Sequence, residues 1–135
     1  MERAIEIAAD YLRTRKQFGV TIGSFQSLQH RIADMSAELE LARSMLFAAL
    51  ASYENDDAGL RIATLAGAKA LITGAARSVC GQAIQLHGGI GMTEECAVGH
   101  YFKRAVVADA LLGGRIVQER ICTASLLGEL AGASA

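Results

Sequence analysis

Residues 28–53 read LQHRIADMSAELELARSMLFAALASY, and this stretch decides the fold class. Its apolar residues recur at alternating steps of four and three, at Leu28, Ile32, Met35, Leu39, Ala42, Leu46, Ala49 and Tyr53. This spacing predicts one long amphipathic helix with the kind of apolar seam that helix bundles use. The polar triplet at 55–57 (NDD) predicts the break that follows.

Four further helices are predicted outside this stretch. They cover 4–15, 58–86, a short segment that starts at Thr93, and 116–130, with the tail 131–135 expected to fray. The last helix is expected to bury Val117, Ile121, Ala124 and Leu127. Because the chain has no proline to interrupt its helices, we predict an all-α fold without a sheet. The simplest form is an up-down four-helix bundle of long antiparallel helices with a short extra helix.

Composition narrows the class of protein. The 135 residues suit one domain, and an apolar fraction of 52% with a net charge of −1 argues against disorder and against a basic nucleic-acid-binding surface. No apolar run approaches the roughly 20 residues of a membrane span, and the N-terminus does not read as a signal peptide. Three widely spaced cysteines predict reduced thiols, and the scattered His and Cys residues predict no metal site.

Two segments carry groups that suit a ligand. The first is residues 15–19 (RKQFG), where Arg15 could clamp a diphosphate and Phe18 offers an aromatic face, followed by Phe25-Gln26. Alternatively, residues 15–19 form only a solvent-exposed basic turn that binds no ligand. The second segment is residues 85–91 (QLHGGIG), where Gln85 offers an amide.

The glycines of the second segment have two readings. Because they follow a helix rather than precede one, they do not form a dinucleotide fingerprint, and a helix cap explains them in part. The pair Gly88-Gly89 is more than a cap needs, since two adjacent glycines also let a flat group approach the backbone closely.

These segments, in their order and spacing, resemble the C-terminal helical domain of acyl-CoA dehydrogenases. The resemblance runs from Tyr11 to about Leu127. It rests on residues 15–19 with Ile22 and 25–26, on 33–35 (ADM) with 42–43 (AR), on 68–70 (AKA), and on 85–91 with 93–95 (TEE).

The resemblance implies that residues 1–135 are one bundle domain, a fragment of a larger subunit that also has an N-terminal helical domain and a β-domain. Such enzymes are flavoproteins of fatty acid metabolism that oxidise an acyl-CoA between Cα and Cβ, transfer a hydride to FAD and pass electrons to an electron-transfer flavoprotein. The bundle would build a dimer or tetramer and contact the FAD of a neighbouring subunit. By motif, Arg15 would hold the diphosphate, Phe18 and Gln26 would lie along the adenosine half, and Gln85 to Gly89, including Gly88, would wrap the adenine end.

One segment departs from the family's pattern. Most members place the catalytic Glu in a loop before Gly-Thr, whereas the corresponding residues 111–115 read LLGGR. Leu112 takes the position of the base and cannot accept a proton, and Gly114 replaces the Thr. Earlier, residues 103–105 read KRA in place of Arg-Asp-Ala. We therefore expect no catalytic residue in this loop, with the base upstream, on a partner, or lost.

Three functions stay open at this point. The chain is part of an FAD-dependent acyl-CoA dehydrogenase, or a non-catalytic dehydrogenase-like subunit that completes the FAD site of a heteromeric partner, or a bundle whose motifs only pack. In the first two cases the fragment alone would be inactive. The expected location is the bacterial cytoplasm, with the mitochondrial matrix as the alternative.

Overall fold

The computed structural model describes the backbone of residues 1–132 and the side chains of residues 1–128. The α-helices are α1 (Glu2–Thr14), α2 (Gln26–Ser52), α3 (Ala58–His87), α4 (Ala97–Ala110) and α5 (Arg115–Gly132). Strands β1 (Lys16–Gln17) and β2 (Val20–Thr21) and two 3₁₀ turns, Ile22–Ser24 and Gly88–Met92, connect them. The predicted all-α class is confirmed by the five helices of the described residues. Residues 133–135 of the tail expected to fray lie outside the described residues, and Ala131 and Gly132 belong to α5.

Two local predictions are wrong. The expected absence of a sheet fails at a minimal hairpin, in which Lys16 pairs with Thr21 and Gln17 with Val20. The fourth helix begins at Ala97 instead of Thr93, because Thr93 is extended and its hydroxyl donates to the Ile90 carbonyl at 2.8 Å.

Because the helix begins at Ala97, Glu94 lies in the segment before it. Its carboxylate accepts a hydrogen bond from Lys103 Nζ at 2.6 Å, and this bond lowers the pKa of Glu94 below its usual range.

The turn between α2 and α3 behaves as its polar residues predict. Asp57 caps α3, since its Oδ1 accepts hydrogen bonds from the backbone N–H groups of Gly59 and Leu60 at 2.9 and 3.1 Å. The Asp57 N–H in turn donates to Asn55 Oδ1 at 2.9 Å. These bonds satisfy donors that a helix start leaves without partners.

The chain divides into two compact units. Unit one is Met1–Glu40 with Ala75–Val106, and unit two is Leu41–Gly74 with the chain from Val107 onward. Unit one holds a core in which Met35, Val79 and Val98 are fully buried among α1 alanines and Leu86. Cys80 lies in the same core, where burial raises the pKa of its thiol.

Unit two has a different interior. Apart from Thr73 and Gln118, the buried residues among those described in this unit are alanines, at 42, 49, 63, 66, 68 and 70. Polar bonds tie α3 to the end of α4. Lys69 Nζ donates to the carbonyls of Ala108 and Asp109 at 2.8 and 3.2 Å, and Thr73 Oγ1 lies 2.9 Å from Asp109 Oδ1.

The larger apolar residues of unit two are exposed, which overturns part of the predicted burial. The seam of α2 is buried at Ala42 and Ala49, but Leu46 is exposed and Tyr53 is 74% exposed. On α5 the predicted face is wrong throughout, because Val117, Ile121, Ala124 and Leu127 are all exposed. The apolar residues of α5 recur at helical spacing as predicted, but no described residue of this unit covers the face that they form. No helix in the described part is both long and apolar enough to cross a membrane.

Candidate functional site

A cleft of about 720 Å³ opens in unit one, and it gathers most of the residues singled out in the sequence. Arg15, Phe18, Gln85, Gly88 and Gly89 all line it. Arg15 and Phe18 lie between α1 and α2, in and beside the hairpin, whereas Gln85, Gly88 and Gly89 lie at the end of α3, far away in the sequence. A cleft of this size lies within the range of roughly 300–1,000 Å³ that small-molecule sites occupy.

The hairpin presents one wall of the cleft. Phe18 and Gly19 are its two loop residues and both have positive φ, 54° and 81°, as a two-residue hairpin turn requires. A bulky residue rarely adopts this conformation, and such strain concentrates at functional positions. Phe18 is 90% exposed, and its ring meets the Phe25 ring edge-on with 6.3 Å between the ring centroids.

Arg15 lies where α1 ends and the hairpin begins. Its backbone is fixed from both sides, since its N–H donates to the Tyr11 carbonyl and its carbonyl accepts from Ile22 N–H, each at 2.9 Å. The guanidinium is left exposed at the cleft. A cation on a fixed backbone is well suited to hold an anionic group.

The glycines after α3 present the other wall. Gly88 has φ 65°, a conformation that favours glycine and ends the helix, so the predicted cap is confirmed. Beyond the local backbone and the adjoining residues, no atom lies within 4 Å of the position that a Cβ on Gly88 or Gly89 would take, so this segment is open to a ligand. Gly91 is needed for packing instead, because a Cβ there would lie 2.7 Å from the Ile84 carbonyl oxygen.

Gln26 is the predicted site residue that the structure does not bring to the cleft. It is the first residue of α2 and is exposed, whereas its neighbours Ser27 and Leu28 line the cleft. Successive helix positions are about 100° apart, so a helix that turns 27 and 28 toward the cleft directs residue 26 elsewhere.

Tyr11 and His87 also line the cleft, although neither has a separate role in the sequence motifs. Their rings stack at 4.5 Å with an interplanar angle of 27°, and both line the cleft. His87 is only 6% exposed, and its Nδ1 lies 2.7 Å from the Ala83 carbonyl oxygen. The pairing of a residue on α1 with one at the end of α3 has no signal in a single sequence.

The loop between α4 and α5 belongs to unit two. Leu112 has φ 58° and is 92% exposed, and its carbonyl accepts a hydrogen bond from Gln118 Nε2 at 2.7 Å. The nearest acids have other partners. Asp109 contacts Thr73, and Glu119 accepts from Arg115 Nε at 2.6 Å.

Comparison with known proteins gives the family. Residues 1–127 match the family described as acyl-CoA dehydrogenase, C-terminal domain, and the chain belongs to this family. It is 37% identical to bovine mitochondrial isobutyryl-CoA dehydrogenase over 93% of the chain and 30% of that protein. It is 41% identical to the acyl-CoA dehydrogenase IpdE2 of Mycobacterium tuberculosis over 77% of the chain and 30% of that protein.

The fold comparison agrees. The structure of butyryl-CoA dehydrogenase from Megasphaera elsdenii superposes with a TM-score of 0.85 at 29% identity, covering 93% of this chain and 32% of that one. The chain therefore spans about a third of the length of the relatives it matches.

The family uses FAD, and the residues of the cleft fit part of that cofactor. Its diphosphate needs a cation, which Arg15 supplies, and its adenine is a flat heterocycle that open glycine backbone accommodates. The Gln85 amide can both donate to and accept from a ring edge.

Proposed function

We propose that the chain is the C-terminal domain of an FAD-dependent acyl-CoA dehydrogenase and that its cleft binds the adenosine diphosphate half of FAD carried by a neighbouring subunit. The observation that carries the proposal is the cleft itself. It brings the exposed Arg15 guanidinium together with Phe18, Gln85 and the open glycines.

Each side chain would have one task in this proposal. Arg15 binds the diphosphate, Gln85 and the backbone of Gly88-Gly89 hold the adenine end, and the aromatic wall of Phe18 and Phe25 lies along the adenosine. When bound, FAD supplies the acceptor for the hydride that leaves the acyl-CoA β-carbon. The residues of this chain bind and orient the cofactor, and we assign none of them a proton transfer.

The reaction is assigned to the full-length protein. It is the α,β-oxidation of an acyl-CoA thioester, with electrons passed to an electron-transfer flavoprotein, and the fragment alone is expected to be inactive. Support comes from the family and from relatives named isobutyryl-CoA dehydrogenase and acyl-CoA dehydrogenase. Because relatives come from bacteria and from mitochondria, we place the protein in the bacterial cytoplasm, with the mitochondrial matrix as the alternative.

Replacement of Arg15 tests the proposal. Arg15→Ala in the full-length protein should weaken FAD binding tenfold or more, because a charge-assisted hydrogen bond contributes about 1.5–3 kcal/mol. Lys16→Ala is the matched control, since Lys16 is also exposed and cationic but does not line the cleft. FAD affinity is measured on the apoproteins by quenching of flavin fluorescence. Equal losses in the two variants would reduce Arg15 to a surface charge and contradict the proposal.

The Leu112 loop favours a second candidate, a non-catalytic subunit that completes the FAD site of a different partner chain. A leucine stands at the family's base position, and the acids around it are held by Thr73 and Arg115. The exposed apolar residues of unit two suit assembly with either an identical or a different subunit.

Purification of the protein from its own cell distinguishes the two candidates. A single subunit type that holds one FAD per chain and oxidises acyl-CoA supports the enzyme. A stable complex with a second dehydrogenase-like subunit, with activity lost on separation, supports the completing subunit.

A further inference from the structure

The loop between α4 and α5 holds a conformation that its own residues do not all favour. Leu112 has φ 58° and Gly113 has φ 91°, so two successive residues are left-handed. Glycine adopts this conformation freely, whereas it strains a leucine. Because Leu112 is 92% exposed, its side chain makes few contacts that could hold its backbone there.

Gln118, in the first turns of α5, holds this backbone instead. Its Nε2 donates to the Leu112 carbonyl at 2.7 Å and lies 3.4 Å from the Gly113 carbonyl oxygen, so one amide group serves two successive carbonyls. Gln118 is only 9% exposed, so water competes little for these bonds. Its own backbone is fixed, since its N–H donates to the Gly114 carbonyl at 3.2 Å.

Gly113 lets the amide come this close to the loop. A Cβ at this position would lie 3.1 Å from Val117 Cγ1 and 3.3 Å from Gln118 Nε2. Both distances are tighter than ordinary contacts of a Cβ. A side chain at 113 would therefore push the amide away from the carbonyls and strain the backbone as well.

The other end of the loop is tied to α3. A helix leaves its last carbonyls without partners inside the helix. Lys69 Nζ donates to two of these in α4, the carbonyls of Ala108 and Asp109, at 2.8 and 3.2 Å. The Asp109 side chain is held too, because its Oδ1 lies 2.9 Å from Thr73 Oγ1. The acid nearest to Leu112 in the sequence is thus kept at the end of α4.

We propose that Gln118 is a positioning residue, whose bonds to the Leu112 and Gly113 carbonyls form a clamp that keeps the side chain of residue 112 exposed. The consequence rests on the proposed function and deepens it. Because the clamp fixes residue 112 while Lys69 and Thr73 fix Asp109, the loop cannot rearrange to bring Asp109 to the family's base position. A base for the full-length protein has to come from outside this loop.

Trypsin cleavage after Arg115 in the full-length protein tests the clamp, because this exposed residue at the start of α5 is cut only when the loop opens locally. Gln118→Met keeps the size of the side chain but removes the donor. We expect cleavage after Arg115 to become about tenfold faster, the value of one hydrogen bond, and cleavage after Arg13 in unit one to stay as in the wild type. Mass spectrometry of the fragments measures both rates. Gln82→Met is the matched control, since Gln82 bonds to Ser78 on α3 and not to the loop.

A second change at residue 112 separates positioning from a general structural role. Asparagine adopts positive φ more readily than leucine, so Leu112→Asn should restore part of the slow cleavage in the Gln118→Met protein. A packing defect around residue 118 would not respond to a change at this exposed position. If Gln118→Met does not fold, as judged by circular dichroism, Gln118→Asn replaces it as an amide too short to reach the carbonyls.

Three results would overturn the role of Gln118. They are an unchanged rate after Arg115 in Gln118→Met, an equal increase after Arg13, and no restoration by Leu112→Asn. The FAD affinity of the wild type is measured separately. A protein that binds no FAD would overturn the proposed function, while the cleavage rates still decide whether the clamp exists.

Discussion

Units one and two use apolar residues in opposite ways. Unit one buries Met35, Val79, Val98 and Leu86 in one core and places its cleft beside it. Among its described apolar residues, unit two buries only alanines and leaves Phe47, Leu50 and Leu127 exposed. An interior of alanines buries little apolar area, and burial of such area is the main stabilising term. Unit one therefore has its own core, whereas unit two leaves its larger apolar residues uncovered by the rest of the described chain.

A stripe on α2 shows this most clearly. Leu46 and Phe47 lie four and three residues before Leu50, and Tyr53 lies three residues after it, so the four form one apolar strip along the helix. Exposed apolar patches of this kind mark interaction sites in proteins that do not aggregate. The dimer or tetramer predicted from the sequence is thus supported by the structure but remains a proposal for this chain.

Three methionines give the largest expected difference in stability. Met35 is fully buried in unit one, Met45 is half-buried in unit two, and Met92 is 78% exposed. Met35→Ala should lower the free energy of unfolding by about 2–5 kcal/mol, because it leaves a cavity in a packed core. Met45→Ala should cost clearly less, and Met92→Ala within about 0.5 kcal/mol.

Urea denaturation at one fixed protein concentration measures these differences, since association would otherwise change the apparent stability. If Met45→Ala were as costly as Met35→Ala, unit two would have a core of its own and the contrast between the units would fail.

The second effect is on association. Leu50→Glu places a charge in the middle of the α2 stripe and should weaken self-association at least tenfold, because an interface core excludes unpaired charges. Ala48→Glu is the control, since Ala48 is exposed on the opposite side of the helix. Sedimentation equilibrium measures the self-association of both variants and of the wild type. Identical association of wild type and Leu50→Glu would show that the stripe is not an interface.

The smallest effect is expected in the α4–α5 loop of unit two. Leu112→Ala should leave the acyl-CoA dehydrogenase activity of the full-length protein, with any partner subunit present, within a few-fold. Leu112 bears no proton acceptor, whereas loss of a general base typically costs about 10²–10⁴-fold. Steady-state rates test this, with Asp109→Asn as comparison. A collapse of activity in Asp109→Asn alone, with FAD still bound, would make Asp109 the base.

The spacing of the apolar residues and the polar turn residues between the helices predicted the helices well. The α2 seam, the Asp57 cap and the glycine end of α3 all follow from local chemistry, which a single sequence contains. The hairpin was missed because two paired residues on each side are too short to show alternation. Burial on α5 was predicted wrongly because periodicity shows that a face is apolar but not whether the same chain covers it.

Most cleft residues could be named from the sequence because they lie in short local motifs, whereas contacts between distant segments could not. Arg15, Phe18, Gln85 and the glycines lie in short motifs, and the fold brings them to one cleft. Gln26 lies outside the cleft because it is the first residue of α2, and its contact with FAD stays a prediction. The stacked pair of Tyr11 and His87 depends on the packing of α1 against α3, which no local pattern encodes.

A crystal structure of the full-length protein with FAD bound would show where the cofactor lies relative to Arg15 and the glycines. We expect the adenosine diphosphate half of FAD to lie in this cleft. Its diphosphate should be within hydrogen-bond distance of the Arg15 guanidinium, and its adenosine against Gln85 and the Gly88-Gly89 backbone. An adenosine diphosphate half bound entirely by other parts of the protein, with this cleft filled by side chains of a neighbouring domain, would contradict it.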